Sequence, residues 1–528
     1  MNYRKILFLL VVVCSQFVLK AQTDHEQITE VLNNFIEGTS FNYPEKIIGA
    51  FHPGTPMYLY NPADTLLIMS AEQYANLYRR RAPGTPNARY GSILEIDIEK
   101  DIASAKIRTV MPNWGSRYVD IVLLKKIDGA WKIIAKAATA EPIPKTTAEM
   151  TASPAKEVVM DGLNRPWSMA FLSETEALLA EKDGDLLLVN LENKSRQKIT
   201  GLPTDVGRKV MIDTSQHQRG VFPASTHGTE QAFNAGWFQV LTDPEFENNR
   251  YIYLSYAAEN SERESALKVI RGQLTDTRLT NVKTLFVAAP YSHGLFHYGG
   301  GMIFGNDGKL YITTGERNFF EYLNPEVPTA QDLKDPRGKV IRINTDGSIP
   351  NDNPDFGPNA VPGLYATGIR AAQGLTKDRE TGQLWFSEHG TLQGDELNLL
   401  QAGANYGWPN RTTGRYRTPD YQAKETPGAQ YTDPIHYWVQ TIAPTGLTFY
   451  YGPEFPMWRG NLIIPGLSKG SLWRLVLENN KVMSTEELFI NDRVRLRKAV
   501  TSPGGQLYLL TDEENGKLIR LYQHKRDN

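Results

Sequence analysis

The sequence predicts two domains, a small α+β domain followed by an all-β six-bladed β-propeller. The chain has 528 residues, which is more than one hydrophobic core usually accommodates. Near the N-terminus, apolar residues recur at helical spacing and strand-like runs follow them. After residue 157 a strand–loop–strand unit recurs six times. Repeated small β units of this kind are typical of a propeller.

The overall composition is typical of a soluble globular protein without a strong charge. Apolar residues make up 41% of the chain, charged residues 22%, and the net charge is −2. This balance does not favour nucleic acid or an anionic membrane surface as a partner. The 43 glycines and 31 prolines fit the many turns of an all-β fold.

Residues 1–21 are typical of a secretory signal peptide. Arg4 and Lys5 give a basic start, residues 6–13 form an apolar core too short to span a bilayer, and Ala21 suits cleavage. We therefore expect a periplasmic or secreted protein with no transmembrane segment in its mature chain. Cys14 is the single cysteine, so the mature chain would have no disulfide and no thiol ligand. Lipid anchoring through Cys14 is the less favoured alternative, because a small residue normally precedes a lipidated cysteine.

Residues 24–142 are predicted to form the α+β domain. Its first helix is indicated by helical spacing of Ile28, Val31, Leu32, Phe35 and Ile36. A second helix is expected over 71–80, and strands are expected over 92–98, 103–110, 118–126 and 131–138. Helices followed by an antiparallel sheet, with the segment Ala50-Phe-His-Pro53, resemble the NTF2-like cone fold and its lumazine-binding group. His52 would either line the pocket of the cone or have a structural role.

Residues 143–156 are rich in Pro, Thr and Ala and are expected to be a linker. The propeller is then assigned to 157–528. The strand pairs of its six units are 177–180 with 186–190, 251–256 with 267–270, 310–314 with 340–344, 384–388 with 397–400, 462–465 with 472–477, and 507–511 with 518–522. The loops after Thr314 and Glu388 are long, and long loops on a rigid ring usually carry function.

The loop between the two strands of the fourth pair, after Glu388, is rich in acidic residues. Glu388, His389, Asp395 and Glu396 lie close together, with glycines at 390 and 394. Carboxylates and loop carbonyls are the oxygen ligands that Ca²⁺ prefers, although the spacing is not that of an EF-hand. A solvated acidic loop is the alternative interpretation.

Ordered motifs across 157–528 resemble the soluble quinoprotein glucose/aldose sugar dehydrogenase family, whose members are six-bladed propellers that use pyrroloquinoline quinone (PQQ) and Ca²⁺. The motifs are Gly162-Leu-Asn-Arg-Pro-Trp167, Asp243-Pro-Glu-Phe246, Asn249-Arg-Tyr-Ile-Tyr253, His297-Tyr-Gly-Gly300, Ala330-Gln-Asp-Leu333, Gly338-Lys-Val-Ile-Arg-Ile-Asn344, Gln373-Gly-Leu375, residues 388–409, Ile442-Ala-Pro444, residues 455–460 and Leu509-Leu-Thr-Asp512.

The resemblance implies roles for two catalytic residues. His297 matches the family's catalytic base, and a neutral imidazole suits removal of a hydroxyl proton near pH 7. A structural histidine packed against Tyr298 is the alternative. Arg370 matches the arginine that stabilises negative charge developing on the quinone.

The resemblance also implies the cofactor and metal contacts. Gly390 and Thr391 match the carbonyl ligands of the active-site Ca²⁺, and Asp395 and Glu396 match acidic residues of a Ca²⁺-binding region. Arg495 and Arg497 match the pair that binds PQQ carboxylates, because guanidinium forks suit carboxylates. With Arg493 they share one strand face, so a solvated edge is the alternative. Further cofactor contacts are expected from Asn234, Gln373 and Lys469.

Several positions depart from the family pattern. Gly301 stands where an arginine is frequent, and Ala371 replaces an asparagine that contacts the cofactor. Asn234 is a shorter amide than the usual glutamine, and Ser468 replaces a lysine for which Lys469 would substitute. Phe296 stands where glucose-oxidising members carry an acid. The insertion 210–233 has no assigned role.

The first hypothesis is therefore an exported PQQ- and Ca²⁺-dependent dehydrogenase that oxidises an aldose to its lactone and passes electrons to an external acceptor. A non-redox propeller that binds carbohydrate or a protein partner is the alternative, favoured by the departures. A Ca²⁺-dependent hydrolase such as a lactonase is a third hypothesis, but its axial carboxylates are not evident. A homodimer is also considered.

Overall fold

The structure is a computed structural model that describes residues 24–61, 63, 65–85, 87, 89–111, 114–142, 154–211, 227–231, 234–294, 296–317, 327–416, 421–468, 470–489, 492 and 494–523. The predicted signal peptide and most of the predicted linker lie outside these residues. The described chain forms two compact units. The limits given above for the domains stay predictions. Within the described residues, no helix is long and apolar enough to cross a membrane.

The first unit packs helices against a six-stranded sheet. Its elements are α1 (Asp24–Ser40), α2 (Pro44–Ala50), β1 (Pro56–Leu59), β2 (Leu67–Ser70), α3 (Ala71–Asn76), β3 (Tyr90–Glu99), β4 (Ile102–Met111), β5 (Ser116–Ile127) and β6 (Ala130–Pro142). The order in the sheet is β2-β1-β6-β5-β4-β3, with β1 parallel to β6. Ile28, Leu32 and Phe35 lie one turn apart on α1 and are buried. A capping box of Ser70 and Gln73 starts α3.

The predicted α+β character of this unit is confirmed, together with both predicted helices and all four predicted strands. The predictions missed α2, β1 and β2. The helix α2 has only seven residues, too few to show helical periodicity. The strand β2 exposes Leu67 and Ile68 at the sheet edge, so it lacks the alternation of a half-buried strand. The side chain of His52 is exposed, and both interpretations of this residue stay predictions.

The second unit is a ring of six four-stranded sheets, the blades of the predicted propeller. It begins with β7 (Ala155–Leu163). Blade 1 contains β8 (Pro166–Phe171), β9 (Glu176–Glu181), β10 (Leu186–Asn190) and β11 (Arg196–Lys198). The short strands β12 (Val210–Met211) and β13 (Glu230–Gln231) follow. Blade 2 contains β14 (Trp237–Thr242), β15 (Tyr251–Glu259), β16 (Ser265–Thr275) and β17 (Arg278–Val287), with α4 (Phe246–Asn249) between its first two strands.

Blade 3 contains β18 (Gly299–Phe304), β19 (Leu310–Thr314), β20 (Lys339–Ile343) and β21 (Leu364–Thr367). Blade 4 contains β22 (Ala372–Lys377), β23 (Leu384–Glu388), β24 (Asp395–Leu399) and β25 (His436–Trp438). Blade 5 contains β26 (Thr448–Tyr450), β27 (Asn461–Pro465), β28 (Leu472–Glu478) and β29 (Lys481–Leu488). Blade 6 contains β30 (Leu496–Thr501), β31 (Leu507–Thr511), β32 (Gly516–Tyr522) and, as its outer strand, β7.

The six predicted strand pairs are the second and third strands of the six blades, so the predicted propeller is confirmed. These strands are buried because they lie inside a sheet and between neighbouring blades; every residue of β19, β20, β23 and β27 is buried. The pairing of β7 with β32 closes the ring. This strand begins at Ala155, two residues before the predicted start of the propeller.

Hydroxyl groups on the inner strands connect neighbouring blades. Ser168 donates to the carbonyl of Phe238 at 2.7 Å, and Ser255 donates to that of Gly300 at 2.7 Å. The pattern continues from Thr313 to Ala372 and from Ser387 to Thr445, both at 3.0 Å. Each hydroxyl satisfies a carbonyl buried between blades, where an unpaired acceptor would be costly. These bonds fix the blades relative to one another around the site described next.

Candidate active site

Most of the predicted site residues gather at one end of the ring. The first two strands of a blade are antiparallel, so the start of the innermost strand and the end of the second strand meet at one edge. His297 precedes β18 and Arg370 precedes β22, whereas Glu388 ends β23. Arg495 precedes β30 at the same end of blade 6. Three blades therefore bring predicted site residues to one edge of the propeller.

His297 is paired with a buried carboxylate. Its Nδ1 atom forms a short hydrogen bond with Oε1 of Glu316, and the side chains are 10% and 0% exposed. An ionised Glu316 would accept this hydrogen bond, with the hydrogen on Nδ1 and a lone pair on Nε2 of a neutral ring. The backbone of His297 has a φ of 55°, a conformation that L-residues rarely adopt. This arrangement orients the imidazole as a proton acceptor.

The second predicted catalytic residue, Arg370, lies next to this pair. Its backbone carbonyl accepts a 3.0 Å hydrogen bond from the N–H of Glu316. The guanidinium is buried, donates to the carbonyl of His389 at 3.1 Å, and lies 5.2 Å from the ring centre of Trp408. Its backbone N–H donates to the Glu388 carboxylate at 2.8 Å. Because side chain and backbone are both held, the charge of Arg370 is fixed in place.

Two buried glutamates face each other across blade 4. Glu388 and Glu396 are directly opposite in the β23–β24 register. Burial raises the pKa of Glu388, and the neighbouring Glu396 charge raises it further. Burial also raises the pKa of Glu396, against hydrogen bonds from Thr413 and Asn398. Two carboxylates held together in this way favour either a shared proton or a bound cation.

Asp395 and His389 are held by the protein itself. Asp395 Oδ1 accepts from the Gly390 N–H at 2.8 Å, and Oδ2 accepts from Thr441 and from the N–H groups of Ile442 and Ala443 at 2.7–2.8 Å. Four donors occupy this carboxylate, so it orders the loop. His389 donates through Nε2 to the Pro444 carbonyl at 2.9 Å. Burial lowers the pKa of His389, which keeps this ring neutral.

The donor types around Glu388 fit a calcium ion. One small cavity is lined by Glu388, Gly390, Gly394 and Glu396, and also by Trp408 and two arginines, Arg370 and Arg411. It therefore offers carboxylate and loop-carbonyl oxygens, which Ca²⁺ prefers. Thr391 is buried beside it, and its hydroxyl donates to the Arg415 carbonyl. Among the described residues, no three His, Cys, Asp or Glu side chains form a metal-binding group, so backbone carbonyls would have to complete the coordination.

The predicted arginine pair is organised by one aspartate. Arg495 donates to Asp512 Oδ2 at 2.8 Å, and Arg497 lies 2.9 Å from Asp512 Oδ1. Although burial favours its protonated form, the charges of Arg497 and Arg495 hold the pKa of Asp512 well below its usual range. Arg497 also donates to Gln373 at 2.5 Å, which links blade 6 to blade 4. The Arg495 side chain remains 50% exposed, so it has surface available for an anionic ligand.

Other predicted contacts are not brought together. Asn234 is exposed on the loop before β14. Lys469 and Arg493 lie outside the described residues, as does most of the insertion 210–233. At Gly301 an added Cβ would lie 3.0 Å from the Thr313 hydroxyl and 3.1 Å from the Gln373 carbonyl. The neighbours therefore crowd the position where relatives were expected to carry an arginine.

A network of hydrogen bonds behind the candidate site, made by Gln331 and Lys339, was not predicted. Gln331 donates to the Trp408 carbonyl at 2.7 Å and exchanges hydrogen bonds with Asn405. Lys339 is fully buried, and its ammonium donates to the carbonyls of Thr329, Ala330 and Arg337 at 2.8–3.1 Å. Burial lowers the pKa of Lys339 to about 7, whereas its three acceptors favour the charged form. Lys339 and Gln331 thus hold the loop that supports Trp408, under Arg370.

Sequence reasoning also missed Glu316, although a signal was present. An acidic residue recurs at the end of the second strand in five blades: Glu181, Glu259, Glu316, Glu388 and Asp512. Since all second strands end at the same edge of the ring, this repeat marks the edge that holds the site. Lys182, beside Glu181, was missed as well; it is buried next to Asp183 and close to the charges of Arg497 and Asp512.

Comparison with known proteins gives two family matches. Residues 163–520 match the family described as "Glucose / Sorbosone dehydrogenase", and residues 23–137 match the family described as "Putative lumazine-binding". The first match runs from the end of β7 into β32, so it includes nearly all of the six blades. The second confirms the predicted resemblance of the N-terminal unit to a lumazine-binding group.

Individual relatives align with this chain over most of their own length. Aldose sugar dehydrogenase YliI of Escherichia coli (strain K12) is 30% identical over 375 residues, which is 69% of this chain and 92% of that protein. Quinoprotein glucose dehydrogenase B of Acinetobacter calcoaceticus is 27% identical over 430 residues, 68% of this chain and 85% of that protein. A crystal structure of a glucose dehydrogenase is 35% identical, with a TM-score of 0.60 over 70% of this chain and 99% of that chain.

Proposed function

The chain belongs to the glucose/sorbosone dehydrogenase family, and from that premise we propose that it is a PQQ- and Ca²⁺-dependent enzyme that oxidises an aldose to its lactone. The substrate is a sugar with a free anomeric hydroxyl. The protein is exported, and the electrons removed from the sugar pass to an external acceptor. The names of two relatives, an aldose sugar dehydrogenase and a quinoprotein glucose dehydrogenase, support the substrate class and the cofactor.

The observation that carries this proposal is the hydrogen bond between His297 and the buried Glu316. Oxidation of a hydroxyl breaks one O–H bond and one C–H bond and forms a carbonyl. The proton from oxygen goes to Nε2 of His297, and Glu316 stabilises the imidazolium that forms. The hydrogen on carbon leaves with the electron pair. These two residues therefore supply the proton-accepting half of the reaction.

The second half requires an acceptor for hydride. PQQ, when bound, supplies a quinone that takes the hydride, and Ca²⁺ supplies a Lewis acid that polarises it. Arg370 contributes a fixed positive charge beside the base, where it stabilises negative charge that develops during transfer. Glu388, Glu396 and the carbonyls of Gly390 and Thr391 would hold the ion. Arg495 and Arg497, with Gln373, would hold the carboxylates of the cofactor.

Two other functions receive less support. A non-redox binding propeller is favoured by the crowded Gly301, by Ala371, and by the engagement of Arg497 with Asp512. It leaves the buried His297–Glu316 pair without a use. A hydrolase with an axial Ca²⁺ would need carboxylates from several blades at the centre of the ring. Among the described residues at the centre, Lys498 donates a hydrogen bond to Gln239. A lysine at this place does not suit the binding of a cation.

The proposal is tested by dye reduction with a panel of aldoses, using purified protein supplied with PQQ and Ca²⁺. We expect aldose-dependent reduction by the wild type and its loss in His297→Asn. The matched control is His293→Asn, because His293 lies four residues away and is partly buried near Glu264. Equal activity in His297→Asn, or no activity with any aldose, would contradict the proposal.

A further inference from the structure

Arg317 is a fully buried cation next to the proposed catalytic pair. It follows Glu316 directly and is 3% exposed. One guanidinium nitrogen donates to the Phe296 carbonyl at 2.7 Å. The other donates to the Gly294 carbonyl at 2.6 Å and to the Ser265 hydroxyl at 2.9 Å. The guanidinium carbon lies 3.5 Å from the ring centre of Tyr298. These contacts surround the turn that carries His297.

The backbones of the two segments also touch. A Cβ at Gly315 would lie 1.8 Å from the His297 carbonyl, and one at Gly294 would lie 2.2 Å from the Arg317 carbonyl. Only glycine permits these approaches. His297 and Arg317 both have positive φ, 55° and 66°. Such conformations are unfavourable for L-residues and persist only when surrounding contacts determine them. Arg317 binds the carbonyls of Gly294 and Phe296, which both lie in the segment leading into His297.

Among the residues that the structure describes, the hydrogen bonds of the Arg317 guanidinium go to neutral oxygens. The charged or titratable groups that act on it include Tyr298, Arg337 and Glu316. The Tyr298 hydroxyl is itself bonded to Ser265 at 2.6 Å. A buried cation held by carbonyls is costly for stability alone, because desolvation opposes it. Its placement therefore points to a role in the adjacent site.

We propose that Arg317 is a positioning residue for the reaction, which fixes the turn that presents the His297 imidazole to Glu316 and to the substrate. This inference rests on the proposed role of His297 as the base. Arg317 lies behind the base and does not touch the substrate itself. Arg317 acts through the carbonyls of Gly294 and Phe296, and Tyr298 and Ser265 hold the guanidinium in its plane.

Three variants and one control test this role. Arg317→Met removes both the positive charge and the planar set of guanidinium N–H donors. Arg317→Lys keeps the charge but loses that planar set of donors. Ser265→Ala removes a single acceptor and is the mild variant if the first two fold poorly. The control is Arg474→Met in blade 5. Arg474 is also buried, donates to Glu486 at 2.6 Å and to Asn461 at 2.7 Å, and lies near Trp458.

The first readout needs neither cofactor nor turnover. In the protein without PQQ, the hydrogen between His297 and Glu316 should give a slowly exchanging low-field imidazole N–H resonance, which His297→Asn removes. We expect Arg317→Met to lose this resonance through exchange with water, Arg317→Lys and Ser265→Ala to weaken it, and Arg474→Met to retain it.

The second readout separates kcat from KM in dye reduction. Displacement of the base should lower kcat about 10- to 100-fold in Arg317→Met, with KM nearly unchanged. Wild-type kcat and an intact resonance in a folded Arg317→Lys and Ser265→Ala would overturn the inference. A wild-type protein that shows the resonance but oxidises no aldose would instead remove the proposed function, so the two failures are distinguishable.

Discussion

The ammonium of Lys498 donates a 2.8 Å hydrogen bond to the side-chain oxygen of Gln239, and this bond connects blade 6 to blade 2. The two blades are not neighbours, because blade 1 lies between them, so the contact crosses the centre of the ring. Lys498 is buried and has a neutral partner. Burial lowers the pKa of Lys498 to about 8. The centre of the propeller therefore contains a cation that the proposed reaction does not use.

This burial predicts a pH-dependent stability. The pKa of Lys498 is lower in the folded state than the unfolded value near 10.5, so between these values the unfolded chain binds more protons. The cost of burying the charge is fully present below about pH 8 and is relieved as pH rises toward 10.5. Relative to Lys498→Met, the wild type should gain about 3 kcal/mol of unfolding free energy over this window.

Denaturant unfolding of both proteins at pH 7, 9 and 10 measures this difference. Lys283→Met, which removes an exposed lysine, should show a difference from the wild type that does not change with pH. A Lys498→Met difference that is constant with pH would show that the amine is not desolvated in the folded state.

Glu316 should be required for turnover and not for folding. In Glu316→Gln the amide can donate a hydrogen bond to Nδ1 and so favour the tautomer that lacks a lone pair on Nε2. We expect kcat to fall about 100-fold or more with KM nearly unchanged. Glu259→Gln, at the corresponding strand end of blade 2, is the control. Steady-state dye reduction measures both, and an unaltered kcat in Glu316→Gln would exclude the pair from catalysis.

Calcium should stabilise the propeller through the two facing glutamates. A bound cation offsets the repulsion between Glu388 and Glu396, so Ca²⁺ should raise Tm relative to Mg²⁺ or a chelator. Glu396→Gln should remove most of this rise, and Glu380→Gln, an exposed change in the same blade, should retain it. Thermal unfolding with each ion measures the effect. The same Ca²⁺-dependent rise in Glu396→Gln would place the ion elsewhere.

The loss of Arg495 should mainly affect PQQ binding, whereas the loss of Arg497 should mainly affect stability. Arg495 is half exposed, so Arg495→Met should weaken PQQ binding about 10- to 100-fold with little change in stability. Arg497 is buried, and its loss leaves Asp512 and Gln373 without their partner. We expect Arg497→Met to lower the unfolding free energy by about 3 kcal/mol. Calorimetry and denaturant unfolding give the two quantities, and identical effects of both substitutions would contradict this division.

The parts of the fold that were predictable are those with continuous burial. The second and third strands of each blade lie between neighbours on both sides, so they appear as apolar runs. The outer strands do not: β11 (Arg196–Lys198) is fully exposed, and half of the residues of β17 (Arg278–Val287) are exposed. The closing strand β7 was assigned partly to the linker, because its pairing with β32 joins the two ends of the unit and no local pattern records it.

The site was predictable where a motif lies beside its own strand. The loop after Glu388 and the turn at His297 were located in this way. Contacts between blades were not, since Arg497 and Gln373 are 124 residues apart and Lys498 and Gln239 are 259 apart. Such pairs depend on ring closure. Glu316 was missed because the acid at the end of the second strand, present in five of the six blades, becomes visible only when the units are aligned.

The most direct test of the central claim is calorimetric titration of the purified protein with PQQ, with and without Ca²⁺. The proposed function predicts saturable binding in the micromolar range or tighter, dependent on Ca²⁺ and weakened in Arg495→Met. No heat of binding up to about 100 μM PQQ would correspond to a binding free energy weaker than about −5.5 kcal/mol. That result would contradict the dehydrogenase assignment and leave a propeller that binds another ligand or a protein partner.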